Sequence, residues 1–343
     1  MGFNDNFLKA CMGEKTTPVP VWFMRQAGRY LPEYQEIRGK ADFLTMCKTP
    51  ELAAEVTLQP VDLLGVDAAI LFSDILIPLE AMGANLSFVE GKGPVLEPPF
   101  RHEDDLKRLH LIEPQKDVSF VLETIKILRR ELSEKVPLIG FAGAPFTLAT
   151  YLVEGGTTKS FVNIKRMLFS APDTFRKLLD LITEVTISYL SAQIDAGAQA
   201  IQLFDTWAGI LTRHDFKDAA LLYARRIFNA LKSKNVPLIY FVFNGGHLLD
   251  LIRLSGANVI GLDWRTDIET ALKLIGNDVT IQGNLDPCLL FLPEERLRDR
   301  ISQILYQGYV AKSHIFNLGH GVLPEIPPEK VKLAIDIIHE LSR

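Results

Sequence analysis

Two arginines near the start of the chain have the residue type and spacing for binding anions. Arg25 and Arg29 follow an apolar run that spans residues 18–24. If the turn after this run is helical, the two side chains share a face; if it is a loop loosened by Gly28, they can still converge. Because a planar guanidinium matches the two oxygens of a carboxylate, the pair predicts a carboxylate-binding site. The alternative is two surface arginines that only solvate a loop.

Further polar residues recur directly after apolar runs along the chain. They are Asp74, Asp205, Thr206, His247, Asp263, Asn284, Asp286 and His320, and the tryptophans Trp22, Trp207 and Trp264 occupy the same kind of position. Part of this pattern arises because strand ends are polar wherever they reach solvent. The concentration of acidic, basic and aromatic residues nevertheless favours one shared ligand site.

Asp74 and His320 are the two members of this set whose surroundings are most informative. Asp74 comes straight after an apolar run, so its carboxylate needs hydrogen-bond donors or a cation. If an arginine of the protein pairs with this carboxylate, Asp74 has a structural role. If a ligand pairs with it, Asp74 recognises N–H groups or a developing positive charge on that ligand. His320 stands between two glycines, which allow backbone and ring to approach a ligand closely, although a loop-capping role is the alternative.

The sequence does not contain the residues or motifs that several classes of enzyme require. No lysine ends a predicted strand, which argues against Schiff-base and pyridoxal chemistry, and the phosphate-binding P-loop and the G-x-S-x-G motif are missing. His247, Asp205 and Asp263 could in principle hold a divalent metal. Because the three cysteines lie away from the strand ends, no metal site is predicted.

The composition limits which partners the protein is expected to bind and in which cellular compartment it is expected to lie. The net charge is −5 with both signs interspersed, which argues against nucleic acid as a partner. No apolar stretch approaches the ~20 residues of a membrane span, and the first residues lack the apolar core of a secretory signal. With an odd number of scattered cysteines, the sequence predicts a soluble, cytoplasmic protein.

The elements that must position these residues alternate between strands and helices. Apolar runs typical of buried strands start near residues 19, 67, 137, 200, 237, 259, 279 and 314. Each is followed by a helical pattern, the longest starting at Pro172 and ending at Gly197, so the sheet should be parallel. Eight such units predict one domain over 1–343, a (β/α)8 TIM barrel. An open dinucleotide-binding sheet would need G-x-G-x-x-G after the first strand.

Residues 86–100 carry glycine and proline at turn spacing, which predicts an extra β-hairpin excursion from the barrel. The strand ends of such a barrel meet at one face. The arginines, Asp74, His320 and the other polar residues should therefore surround one mouth.

Several long motifs give the chain a resemblance to a known family. They are PVWFMRQAGRYLPEY, GFAGAPFTLATYLVEGG, FSDIL, FDTWAG, YFVFNGG, GLDW, QGNLDP and NLGHG, in that order. Over essentially its whole length the chain resembles the uroporphyrinogen decarboxylases.

The resemblance implies a fold, a reaction and a set of site residues. The family is a single (β/α)8 barrel, usually a homodimer. It removes carbon dioxide from the four acetate side chains of uroporphyrinogen III and gives coproporphyrinogen III, without metal or organic cofactor. Carried onto this sequence, the substrate-binding positions are Arg25, Gln26, Ala27, Gly28, Arg29, Arg38, Asp74, Phe141, Tyr151, Thr206 and His320. The catalytic ones among them are Asp74, Arg25, Arg29, Tyr151 and His320, while Thr206 replaces a frequent serine and keeps the hydroxyl.

The chemistry of such a substrate agrees with these residues. Arginines suit its eight carboxylates, and a buried carboxylate suits its four pyrrole N–H groups. Protonation of a pyrrole α-carbon makes the ring an electron sink, and Asp74 can stabilise the resulting cation. Tyr151 and His320 would hold side-chain carboxylates or relay protons. The proton donor stays open, because an arginine with a pKa above ~12 is an awkward acid.

Two other functions compete with this hypothesis. Methyltransferases that work with corrinoid proteins share the barrel, but they resemble zinc enzymes with a His/Cys ligand set, and the cysteines are missing from the strand ends here. A non-catalytic tetrapyrrole carrier would keep Arg25 and Arg29 but has no reason to hold a carboxylate at the ring centre.

Overall fold

A curled parallel sheet forms the centre of the protein. The computed structural model describes residues 2–343. The strands are β1 (Ala69–Ile70), β2 (Leu86–Val89), β3 (Gly93–Leu96), β4 (Leu138–Gly143), β5 (Ala200–Asp205), β6 (Leu238–Val242), β7 (Val259–Gly261), β8 (Thr280–Gln282) and β9 (Ser313–Ile315). Seven of them pair in parallel in the order β1-β4-β5-β6-β7-β8-β9. The predicted parallel α/β sheet is confirmed.

The first apolar run lies between the two edge strands of this sheet. On one side the Asp67 backbone N–H donates to the Val21 carbonyl (2.8 Å), and on the other the Phe316 N–H donates to the Pro20 carbonyl (2.8 Å). Val21 also bridges Phe316 in the parallel sense. Both edges of the sheet are therefore hydrogen-bonded to the segment that leads into Arg25.

Helices cover the outside of the sheet. They are α1 (Asn6–Cys11), α2 (Pro32–Arg38), α3 (Phe43–Lys48), α4 (Pro50–Leu64), α5 (Ile77–Ala81), α6 (Pro114–Asp117), α7 (Ser119–Glu131), α8 (Pro145–Glu154), α9 (Val162–Ser170), α10 (Pro172–Ala196), α11 (Arg213–Phe216), α12 (Leu222–Leu231), α13 (Leu249–Ile252), α14 (Ile268–Ile275), α15 (Glu294–Gly308) and α16 (Pro328–Leu341). The longest, α10, begins at Pro172 and is capped by Gly197, as its terminal residues predict. Within residues 2–343, no helix is both long and apolar enough to cross a bilayer.

Strands β2 and β3 form a separate two-stranded antiparallel sheet, in which Leu86 pairs with Leu96 and Val89 with Gly93. Leu96 N–H donates to the carbonyl of Gly155 (3.1 Å), at the end of α8. This contact ties the two strands to the helix that carries Tyr151.

A buried carboxylate joins both ends of the chain beneath the sheet. Asp67 Oδ2 accepts hydrogen bonds from the Val21 N–H (2.8 Å) and from His339 Nε2 (2.7 Å) on α16, and its Oδ1 accepts from Asn4 Nδ2 (2.7 Å). Asp67 is only 4% exposed. The amino-terminal arm, the segment between the edge strands and the last helix therefore depend on one side chain.

Candidate active site

The loop that carries Arg25 is held in an unusual backbone conformation. Arg25 has φ of 59°, a left-handed conformation that non-glycine residues rarely adopt. Its side chain is exposed and lies against Gly321, where an added Cβ would be only 2.4 Å from Arg25 Cδ and 2.6 Å from Cγ. Gly321 therefore provides the space in which the Arg25 guanidinium reaches the mouth of the sheet.

Asp74 faces the same space as Arg25. Burial raises the pKa of the Asp74 carboxyl, and a hydrogen bond from the Leu76 N–H (2.9 Å) and the charge of Arg25 oppose that shift. The residue keeps part of its surface open to the mouth, while protein atoms surround the carboxylate elsewhere. In the described part of the chain, residues 2–343, no ion pair within 4 Å joins Asp74 to an arginine. Its carboxylate thus retains acceptor capacity for a ligand.

Tyr151 on α8 lies near these two charges. Burial raises the pKa of Tyr151 to about 12; the negative charge of Asp74 raises it further and the positive charge of Arg25 lowers it. The Tyr151 ring lies 5.8 Å from that of Trp207. The Trp207 Nε1–H group is buried near the Tyr151 hydroxyl, but among residues 2–343 it meets no acceptor in hydrogen-bond geometry. Tyr151 is therefore a protonated hydrogen-bond donor at neutral pH.

Asp205 holds the loop that carries Thr206 and Trp207. Its carboxylate is fully buried and accepts hydrogen bonds from Thr147 Oγ1 (2.7 Å) and from the Tyr240 hydroxyl (2.8 Å). Thr147 Oγ1 in turn accepts from the Trp207 N–H (3.1 Å). Burial raises the pKa of Asp205 to about 6. Asp205 thus positions Thr206, which is half-buried, rather than facing a ligand itself.

His320 lies in the loop after β9 and packs edge-on against Phe243, with ring centroids 4.6 Å apart. Burial lowers the pKa of His320 to about 4, and the positive charges of Arg25 and Arg265 add to the shift. Neither ring nitrogen has a hydrogen-bond partner within the described residues 2–343. A neutral imidazole with an available N–H is therefore present above about pH 5.

Phe141 is buried and forms part of the aromatic wall, with its ring 5.8 Å from that of Phe204.

Arg29 and Arg38 are exposed. Burial raises the pKa of Tyr34, and the positive charges of these two arginines partly oppose that shift. Arg38 also donates to the Ala41 carbonyl (3.0 Å). Arg29 thus lies on the same loop as Arg25, and its charge acts on Tyr34.

Gln26, Ala27 and Gly28 join the two arginines. The Gln26 side chain is buried, its Oε1 accepts from the Phe23 N–H (3.0 Å), and its Nε2 donates to the Ala68 carbonyl (3.0 Å). The oxygen and the nitrogen of this side-chain amide each have a partner within the protein. The Gln26 side chain thus anchors the loop to the sheet, while Ala27 and Gly28 are half-buried beside it. Contact of these three residues with the substrate stays a prediction.

Several strand-end residues bond to their own loops. Asp263 accepts hydrogen bonds from the backbone N–H groups of Asn244 and Arg265, and Asn284 Nδ2 donates to the carbonyls of Asp263 (2.8 Å) and Thr266 (2.7 Å). Asp286 accepts from the Cys288 N–H (2.9 Å). His247 Nε2 forms a hydrogen bond with the Leu211 carbonyl (2.9 Å). Together with Asp205, these residues shape the mouth. That all ten polar groups surround one mouth stays a prediction, and the side chains named here are hydrogen-bonded within the protein. The residues considered for a metal, His247, Asp205 and Asp263, are each engaged separately.

The sequence predictions omit three side chains that line this mouth, namely Phe161, Phe243 and Arg265. Phe161 packs on Trp207 (5.2 Å between ring centroids), and the Arg265 guanidinium lies over the Phe243 ring. Arg265 could have been recognised from the sequence by its position directly after Trp264, at the end of a strand. Phe161 and Phe243 carry no comparable signal, since their role depends on contacts between loops.

Comparisons with known proteins identify the family to which the chain belongs. The family model described as uroporphyrinogen decarboxylase (URO-D) matches residues 3–341. A uroporphyrinogen decarboxylase of Syntrophotalea carbinolica is 53% identical over 338 residues, which are 98% of each chain. One from Desulfotalea psychrophila is 55% identical over 339 residues, which are 99% of each chain.

Solved structures show the same fold at low sequence identity. A methyltransferase from Methanosarcina mazei superposes with a TM-score of 0.83 at 22% identity and 99% coverage of both chains. A B12-independent methionine synthase from Shewanella superposes with a TM-score of 0.61 at 14% identity and 95% coverage of both chains. At these identities the likeness concerns the fold alone.

Proposed function

The chain belongs to the uroporphyrinogen decarboxylase family, and we propose that it removes carbon dioxide from the four acetate side chains of uroporphyrinogen III to give coproporphyrinogen III. As a member of this family it is a carboxy-lyase that decarboxylates uroporphyrinogen in tetrapyrrole biosynthesis. The observation that carries the finer proposal is that the charge of the Arg25 guanidinium acts on the buried Asp74 carboxylate although the two side chains form no ion pair.

The cationic groups at the mouth receive the acidic arms of the substrate. Within residues 2–343, the Arg25 guanidinium makes no hydrogen bond or ion pair, so all its donors are available for a carboxylate. Arg29 is exposed on the same loop, and His320 offers a neutral N–H from the other side. Charge-assisted bonds from a guanidinium to a carboxylate are strong and directional, so these residues fix the orientation of the macrocycle.

Asp74 receives the pyrrole N–H groups at the centre of the macrocycle. The only protein donor to its carboxylate among residues 2–343 is the Leu76 N–H. Pyrrole donors would offset the cost of burial and lower the pKa of Asp74 from its raised value in the empty site. Substrate binding thus keeps the carboxylate ionised for the chemical step.

The ring itself serves as the electron sink. Proton addition to a pyrrole α-carbon places a positive charge on the ring, which the Asp74 carboxylate stabilises from a fixed position. The bond between the acetate methylene and its carboxylate then breaks. Its electron pair passes into the ring, and carbon dioxide leaves. A proton adds to the exocyclic methylene carbon and the α-carbon proton is lost, so each acetate becomes a methyl group with net uptake of one proton.

Tyr151 and His320 act as hydrogen-bond donors to side-chain carboxylates. A general acid works best with a pKa near the working pH. Burial raises the pKa of Tyr151 to about 12 and lowers that of His320 to about 4, so both lie far from neutrality while both still carry an N–H or O–H donor. Because the protonated ring accepts the electron pair, the proposed reaction requires no metal or organic cofactor.

The finer structural part of the proposal is a closed (β/α)8 barrel forming a single domain over 1–343. The hydrogen bonds from residues 20–22 to both edge strands support closure, and residues 86–100 are the hairpin excursion of this barrel. The resemblance further implies a cytoplasmic homodimer. Sedimentation of the purified protein tests the dimer, and a sedimentation coefficient of a monomer would contradict it.

The proposed reaction is tested with purified protein treated with a chelator. The protein is incubated anaerobically with uroporphyrinogen III, and the products are oxidised to porphyrins and separated. We expect carbon dioxide release and accumulation of the tetracarboxylate product. Tight binding of uroporphyrinogen without any carbon dioxide release would indicate a tetrapyrrole carrier and would contradict the proposed reaction.

A further inference from the structure

Arg265 carries a cation that no sequence motif assigns to the site. It follows Trp264 in the loop after β7, and its guanidinium carbon lies 4.1 Å from the centre of the Trp264 ring and 4.6 Å from that of Phe243. The Phe243 ring is also in contact with His320, with centroids 4.6 Å apart. Trp264 and Phe243, named here the aromatic shelf, therefore place Arg265 on the same wall as His320.

The backbone of Arg265 is fixed while its donors stay available. Asp263 Oδ1 accepts from the Arg265 N–H (2.8 Å), and Asp263 Oδ2 accepts from the Asn244 N–H. The Arg265 guanidinium forms a long ion pair with Asp263 Oδ2 at 3.8 Å, which is beyond hydrogen-bond distance and leaves its N–H donors unused. Across residues 2–343 it makes no side-chain hydrogen bond, and the side chain is 43% exposed.

These features together indicate a prepared anion site. The aromatic shelf holds the guanidinium plane by cation–π contact and limits its rotamer freedom. An arginine whose plane is oriented and whose donors are unpaired matches a carboxylate in two-point contact. Arg265 and His320 both contact the Phe243 ring, and the charge of Arg265 acts on the His320 imidazole, so one carboxylate can be held between them.

The reaction determines which carboxylate suits such a contact. A carboxylate that leaves as carbon dioxide loses its negative charge in the transition state. A cation holding that group would stabilise the ground state more than the transition state and slow the step. A group held by Arg265 should therefore keep its charge throughout, as the propionate arms do in all four decarboxylations.

We infer that Arg265, oriented by the aromatic shelf, binds a propionate carboxylate of the substrate together with His320. This inference rests on the proposed function and names a further binding residue for it. Arg265 is a substrate-anchoring residue outside the chemical step. Its removal should weaken binding of substrate and product equally, because both carry the same four propionates.

The test compares Arg265→Gln with the wild type in anaerobic binding of uroporphyrinogen III and coproporphyrinogen III. We expect Kd to rise about tenfold for both ligands, with kcat changed by less than about threefold. Arg265→Lys should recover part of the affinity, since the charge remains but the planar contact is lost. Arg226→Gln is the matched control, because Arg226 lies over Tyr223 on an outer helix and pairs with Asp180 and Glu184.

A spectroscopic readout separates anchoring from a purely structural role. The positive charge of Arg265 contributes to the lowered pKa of His320, so the His320 ring resonances of Arg265→Gln should titrate at higher pH than those of the wild type. Unchanged Kd for both ligands overturns the inference. A loss confined to uroporphyrinogen also overturns it, because that result assigns Arg265 to an acetate. Carbon dioxide release by the wild type in the same preparation tests the proposed function separately.

Discussion

Gly321 offers a direct way to displace Arg25 without changing any charged residue. A Cβ at this position would lie 2.4 Å from Arg25 Cδ, 2.6 Å from Cγ and 3.0 Å from Cβ. Ordinary carbon–carbon contacts begin near ~3.5 Å, so in Gly321→Ala the Arg25 side chain must move by about 1 Å. Gly321 does not have a left-handed backbone, so alanine fits its main-chain conformation.

The expected cost follows from the hydrogen bonds that Arg25 is proposed to make to the substrate. A displacement of about 1 Å takes a guanidinium–carboxylate hydrogen bond out of range, which costs about 1.5–3 kcal/mol for a charged pair. That corresponds to a loss in kcat/KM of about 10- to 150-fold. Because the obstructing atoms belong to a flexible side chain, the midpoint of thermal unfolding should change little.

The assay measures kcat/KM for uroporphyrinogen III together with the unfolding midpoint. Gly2→Ala is the control, since it adds the same methyl group where no atom lies within 4 Å. Wild-type kcat/KM in Gly321→Ala would refute the reasoning that Arg25 must occupy its observed position. A parallel loss in Arg25→Gln would identify the displaced residue.

Two further predictions concern residues that support the site. Burial raises the pKa of Asp205 to about 6 from its ordinary 3.8, so the folded state holds this proton more tightly than the unfolded state. The associated stability is present below about pH 4 and is lost as the pH rises through 6. Relative to Asp205→Asn, the wild-type free energy of unfolding should therefore fall by about 3 kcal/mol between about pH 4 and pH 7 in urea titrations; a constant difference would contradict this. Asp67→Ala removes the acceptor for Val21 and His339. It should lower the free energy of unfolding by about 3–5 kcal/mol. A loss below about 1 kcal/mol would show that Asp67 does not hold the two chain ends together.

The sheet was predictable from sequence because its strands are buried on both faces. Such strands read as short apolar runs, and the order of runs and helical patterns gives a parallel sheet directly. The runs near 137, 200 and 237 correspond to β4, β5 and β6. The exact extent of strand pairing was not predictable from the sequence. The first apolar run forms a single β-bridge, at Val21, because its backbone hydrogen bonds are divided between the two edges of the sheet.

For the candidate site, the sequence predicted only that certain residues lie together at the ends of the strands. Arg25, Asp74 and His320 come together because each follows a strand that ends at the same face. Sequence position does not reveal which polar groups are already paired, so Asp205 and Gln26 could not be recognised as structural. The roles of Gly321 and Arg265 depend on contacts between loops far apart in sequence, which local patterns do not encode.

In the proposed reaction, the Asp74 carboxylate stabilises positive charge on the macrocycle during decarboxylation. Asp74→Asn keeps the shape and one acceptor oxygen but removes the negative charge. Carbon dioxide release from uroporphyrinogen III measures this most directly, with coproporphyrinogen III binding measured on the same protein. We predict a fall in turnover of about 100-fold or more with binding retained within about tenfold. Turnover equal to that of the wild type would contradict the account.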